Sequence, residues 1–171
     1  MLSIAILLSV SPLTPDTAPR IERGTISLTA ANTLATAVIA SCRSIGREAV
    51  VAVVDRGGNL IALQRGDDVG PHNTLAAQRK AFTALSTKTG TTVLAERAAS
   101  DPTSQNLVSI PELLLLGGGL PLNIDGETIG AVGVAGAGGA ANDDHCARAA
   151  IEHLVHEQDS ASPAAENSDP R

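Results

Sequence analysis

The sequence predicts an α+β domain, a five-stranded antiparallel sheet with flanking helices in the order α-β-β-α-α-β-β-β-α. Three observations carry this. Two stretches rich in β-branched and apolar residues are each broken by a turn that suits a hairpin, Arg56-Gly57-Gly58-Asn59 and Asp125-Gly126. Segments with helical apolar spacing lie before, between and after them. Hairpins separated by helices favour an antiparallel sheet with helices packed on it over a doubly wound parallel sheet.

The elements follow in order. Thr29 is a suitable cap for a helix over about residues 30–45, with Leu34, Val38, Cys42 and Ile45 along one face. Ala49 to Asp55 is almost continuously apolar and reads as a buried strand, and Leu60 to Arg65 returns from the turn. Pro71 opens a helix to about Ser86, where its missing N–H costs nothing. After Gly90, Thr91 or Thr92 caps a shorter helix through Ala99, ended by Asp101-Pro102. Leu113 to Leu116 reads as a strand before Gly117-Gly118-Gly119. Leu120 to Ile124 and Glu127 to Val134 form the second hairpin, and a last helix lies near 142–156.

Composition narrows the function. The 171 residues suit one domain, and 43% are hydrophobic, enough for a packed core. There is one Phe, with no Tyr or Trp, so no stacking platform for single-stranded nucleic acid can be built. A net charge of −6 without a basic cluster argues against binding to a phosphate backbone. Two cysteines, Cys42 and Cys146, exclude a cysteine-type zinc site and a disulfide-dense scaffold, and leave one disulfide open.

Residues 1–24 read as a leader, 25–157 as the domain and 158–171 as a polar, disordered tail. The apolar run Leu2 to Val10 is too short to span a bilayer. It resembles the apolar and cleavage regions of a secretory signal but has no Lys or Arg before them. Secreted or periplasmic and cytoplasmic locations both stay open.

The glycine-rich stretches invite a nucleotide-binding reading. Gly117-Gly118-Gly119 lacks the Lys-Ser/Thr of a P-loop, and Gly133 to Gly139 lacks the G-x-G-x-x-G spacing. Glycine that lets one backbone approach another, or that takes positive φ, is the favoured explanation.

Four segments in unbroken order, Val51 to Leu60, Ala77 to Ala84, Gly118 to Leu122 and Asp125 to Val134, resemble the signature segments of the GlcG/HbpS family. That domain also forms the C-terminal part of PduO-type proteins. Asn142-Asp143-Asp144-His145-Cys146-Ala147 is similar to the family's acidic opening of its final helix. The resemblance spans about residues 25–156. It implies a profilin-like fold, homo-oligomerisation and, for some members, binding of haem.

Haem asks for an axial ligand, an apolar slot and cations for its propionates. His72 at the mouth of a helix and His145 in the acidic first turn of the last helix are the candidate iron ligands. His153 and His156 read as surface or packing residues. Arg65, Arg79 and Lys80 are the candidate cations, Lys80 matching the family's helix segment and expected either to snorkel to solvent or to meet an anion in a pocket. Asp55 is expected to accept backbone bonds in its own turn. Asp143, Asp144, His145 and Glu152 could bind a hard cation, but helix capping by the two aspartates is favoured.

The expected function is therefore a small oligomeric haem- or tetrapyrrole-binding protein for storage, relay or sensing. The alternative is a small enzyme or accessory protein acting on a carboxylate metabolite, with Lys80 or Arg79 holding the anion and His72 or Asp55 as acid/base. No nucleophile-elbow, zincin or kinase motif supports the alternative. In the profilin-like arrangement that the resemblance implies, the first and last helices pack side by side. Cys42 and Cys146 would then come close, either as a disulfide or as small buried hydrophobes.

Overall fold

Residues 23–161 are described by the computed structural model of the chain, their side chains as far as Glu152. The expected leader, apart from Arg23 and Gly24, lies outside the described residues, as do residues 162–171.

The first helix, α1 (Leu28–Ser44), buries Ala31, Leu34, Ala35, Val38, Ile39 and Cys42, spacings that keep to one helical face. Its cap is Ser27, whose Oγ accepts from the Ala30 amide at 3.2 Å, so Thr29 already stands inside the first turn. Next come β1 (Val50–Asp55) and β2 (Leu60–Arg65), α2 (His72–Thr87) and α3 (Thr91–Ser100). The hydroxyls of Thr91 and Thr92 do not cap α3. They turn instead to distant partners, Thr91 to the Leu116 carbonyl and Thr92 to Asp144, both at 2.8 Å.

A 3-10 turn (Gln105–Ser109) precedes β3 (Gly119–Ile124) and β4 (Glu127–Ala135), and α4 runs Ala140–Ala161. α4 is longer at both ends than expected and takes in the first residues assigned to the tail.

The sheet has four strands, not five, in the order β2-β1-β4-β3, each neighbouring pair antiparallel. The missing strand is Leu113 to Leu116. Its backbone bonds to side chains of helices rather than to a neighbouring strand. The Leu114 amide donates to Thr83 Oγ1 at 2.8 Å, and Arg79 and Thr91 donate to the Leu113 and Leu116 carbonyls. Buried polar backbone groups must find partners, and here the helices supply them.

Alternation along the strands divides the core. Val51, Val53, Val132 and Val134 face α1 and α4, while Val50, Ala52, Val54, Ala131 and Ala135 face α2. α2 sits close to the sheet through Ala77, Ala81 and Ala84. Gly119 and Gly133 are paired in register beneath it, and a Cβ on either would fall on an α2 carbonyl, Lys80 for the first and Ala77 for the second. Close approach of backbones is thus the reason for glycine at both positions.

α1 and α4 are joined at the end of one and the first turns of the other. Cys42 and Cys146, both fully buried, form a disulfide with their Cα atoms 5.1 Å apart. No helix among the described residues is long and apolar enough to cross a membrane.

Candidate functional site: a cleft along α2

Of the expected cations, Lys80 is engaged inside the protein. It is 1% exposed, and its ammonium donates to Asp143 Oδ2 at 2.8 Å and to the Val134 carbonyl at 2.9 Å. The anion it meets is the protein's own, so it neither snorkels nor faces a pocket. Arg65, on the edge strand, is exposed and donates to the Val69 carbonyl four residues away. Arg79 Nη2 donates to the carbonyls of Pro111 and Leu113 at 2.7 Å each, and its Nε is buried with no partner among the described residues.

The aspartates of α4 do not bond the amides of their own helix, which corrects the capping half of the favoured expectation, while Asp143 does stand in the first turn, where its charge suits the dipole. Asp143 accepts from Ala137 N at 2.9 Å as well as from Lys80, and Asp144 accepts from Gly118 N at 2.6 Å and from Thr92. Tertiary partners outcompete the helix's own amides because they bring in two glycine-rich segments and a buried ammonium. These bonds also occupy amides that a phosphate-cradling turn would need free. Asp55 behaves as expected, its carboxylate accepting from Gly57 N at 2.8 Å and Asn59 N at 2.9 Å. The Asn59 side chain does most to hold that carboxyl below the usual range; burial, next in size, opposes it, and the turn amides add to the lowering.

His72 is the first residue of α2 and is exposed, its imidazole lying over Gly70. His145 is exposed on α4, the helix packed on the other face of the sheet. The two histidines are therefore not brought together within one chain. His153 and His156 lie outside the described side chains. Among the described residues no group of three or more His, Cys, Asp or Glu is placed to hold a metal ion.

A different constellation emerges beside His72. His72, Leu75, Arg79, Phe82 and Ser86 recur at spacings of three and four, a single stripe outside the Ala77, Ala81 and Ala84 face by which α2 packs on the sheet. Against this stripe stands the β1–β2 hairpin. Between them runs an open cleft with two adjoining lobes that share Gly58 and Phe82.

The first lobe, about 270 Å³, is walled by Val54, Leu60, Leu75 and Phe82, with Gln78, Arg79 and Glu112 at its rim. The second, about 290 Å³, holds Phe82 and Leu85 with Arg56 and Lys88. Leu60 and Leu75 are 45% and 61% exposed, a large apolar surface left to solvent at one place. Gly58 lets the hairpin come near α2, since a Cβ there would stand 3.1 Å from the Phe82 ring.

Sequence reasoning missed Phe82, Leu60, Leu75, Arg56, Lys88 and Glu112 as a group. One signal was available: Phe82 is the chain's single aromatic residue.

Fold and cleft define a class, a four-stranded antiparallel α+β domain with a helix-and-hairpin cleft on one sheet face. Residues 26–152 match the family model described as haem-degrading protein HbpS-like, and the chain belongs to that family. Among solved structures, HbpS is 37% identical with a TM-score of 0.75, covering 83% of this chain and 99% of that one. The PduOC:heme complex is 26% identical with a TM-score of 0.68, covering 75% of this chain and 94% of that one.

Among curated relatives, an uncharacterized 15.0 kDa protein from the dhaT-dhaS intergenic region of Citrobacter freundii is 36% identical over 114 residues. That match covers 66% of this chain and 80% of the relative. Protein GlcG of Escherichia coli K12 is 42% identical over 84 residues, which are 49% of this chain and 61% of GlcG.

Proposed function

We propose that this chain binds haem, or a related tetrapyrrole, in the cleft along α2, as an oligomer that captures the ligand for storage, relay or sensing. The observation that carries the reading is the cleft itself: a continuous apolar wall of Leu60, Leu75, Phe82 and Leu85 with Arg56 and Lys88 at one end. An amphipathic macrocycle with carboxylates asks for this combination of apolar body and terminal cations. Family membership and the likeness to a haem complex support it.

The residues fit such a group by their chemistry. Phe82 and the leucines would cover the macrocycle, Arg56 and Lys88 would pair with its carboxylates, and His72, on the same stripe one turn before Leu75, is the proposed iron ligand. Bound haem supplies a redox-active iron, and the protein's share is apolar shielding and charge at the rim.

Of the other expected cofactor contacts, His145 and Arg65 stand away from this cleft and Lys80 is committed to Asp143; His72 does not line either lobe itself but stands exposed one turn before Leu75, at the open end of the first. Of the residues the enzyme alternative would use, Lys80 is bonded to Asp143, Arg79 to two carbonyls and Asp55 to its own turn, which leaves His72 exposed.

The cleft is shallow for a macrocycle, so a second copy of the chain completing its burial belongs to the same proposal. Titration of the purified protein with haemin tests it. A Soret band that saturates at fixed stoichiometry, altered in His72→Ala and unchanged in His145→Ala, is the expected result. No spectral change in the unaltered protein would remove the reading, and an effect of His145→Ala alone would move the ligand to α4.

A further inference from the structure

The two ends of the cleft differ in charge, and this has a consequence for which tetrapyrrole fits. At the α2 C-terminal end the exposed Lys88 is, among the described residues, the free cation of the second lobe; Arg56 lines that lobe too but donates to the Thr128 carbonyl at 3.2 Å and lies 3.6 Å from Glu127 Oε2. At the other end Glu112 is exposed and lines the first lobe. Arg79 stands beside it, but its Nη2 is turned to the Pro111 and Leu113 carbonyls and its Nε is sealed from solvent. Those two bonds clamp the backbone on either side of Glu112, and the Leu114 amide is held by Thr83. Glu112 is therefore presented to the lobe on a segment pinned to α2 at three points. Arg79 and Lys88 are about 13 Å apart along the helix axis at the usual helical rise, so the two ends are separated by the length of the apolar wall.

Resting on the haem reading above, we propose that Glu112 makes the cleft selective for tetrapyrroles whose carboxylates all lie on one edge. Such a ligand places its anionic edge at Arg56 and Lys88 and its apolar edge beside Leu75 and Glu112. A tetrapyrrole with carboxylates on every side brings one of them against Glu112 in any orientation. That contact is a like-charge pair beside an apolar wall, where water screens it less than on an open surface. Arg79 acts as a positioning residue, holding the Glu112 segment against α2.

The test compares metal-free protoporphyrin IX, with two carboxylates on one edge, and coproporphyrin III, with four around the ring, by absorption or fluorescence titration. The unaltered protein is expected to prefer protoporphyrin by about fivefold to tenfold, the size of one such charge contact. Glu112→Gln narrows the ratio by strengthening coproporphyrin binding, and added salt narrows it in the unaltered protein only. Lys88→Gln weakens protoporphyrin binding. Equal affinity for both, or a preference that Glu112→Gln leaves intact, overturns the role of Glu112 while the binding reading stands. Binding of neither porphyrin ends both.

Discussion

Lys80 Nζ lies 2.8 Å from Asp143 Oδ2 with both side chains out of solvent, and this pair fastens α2 to the first turn of α4. Asp143 holds the Ala137 amide with its other oxygen, and its neighbour Asp144 holds Gly118 and Thr92. One helical turn thus gathers the ends of β4, α3 and the segment before β3. A buried charge left without its partner is costly, so Lys80→Met is expected to lose about 3–5 kcal/mol in urea unfolding. Asp143→Asn added to Lys80→Met keeps an acceptor for Ala137 and is expected to recover part of that loss. Additive losses would show that the two residues do not act as a pair.

The disulfide is expected to stabilise strongly. It closes a loop with a sequence separation of 104, for which chain entropy predicts about 4.7 kcal/mol. Cys42→Ser with Cys146→Ser should lower the unfolding midpoint accordingly. Unfolded but unreduced protein should take up no alkylating agent, and labelling of two thiols would contradict the bond.

Gly133→Ala puts a methyl group against the Ala77 carbonyl, with no flexible side chain able to yield. A loss of about 1–3 kcal/mol is expected from overpacking. Because α2 must lift from the sheet, porphyrin affinity should fall as well. Unchanged stability would mean that α2 is seated less closely than described.

Asp55 gives a pH signature. Its folded carboxyl titrates below the ordinary value, so its contribution is complete above the ordinary carboxylate range and is lost as pH falls through the folded value. The melting temperature of Asp55→Ala should therefore lie below that of the unaltered protein at neutral pH, with the gap closing in acid. A gap independent of pH would assign the effect to packing.

Local chemistry made the hairpins readable. Asp125 and Gly126 both take positive φ, at 50° and 77°, as a two-residue turn of that kind requires. The buried run in β1 was equally plain, because every residue from Val50 to Val54 is covered on both faces. Leu113 to Leu116 misled because apolar residues before glycines have the composition of a strand. What decides against one is the set of hydroxyl and guanidinium groups on Thr83, Thr91 and Arg79, 25 to 34 residues away.

The cleft was hidden for the same reason. Whether Lys80 snorkels or meets an anion is decided only by its partner, 63 residues on, while Phe82, Leu60 and Glu112 come from three separate segments. His72 was legible as exposed at a helix start, but the stripe it opens only gains a meaning when the β1–β2 hairpin stands opposite.

The most direct measurement is a structure of the protein with haemin bound. The macrocycle is expected against α2 between Leu75 and Leu85, packed on Phe82, with its propionates toward Arg56 and Lys88. A macrocycle seated beside His145 on α4, or one making no contact with Phe82, would contradict this placement.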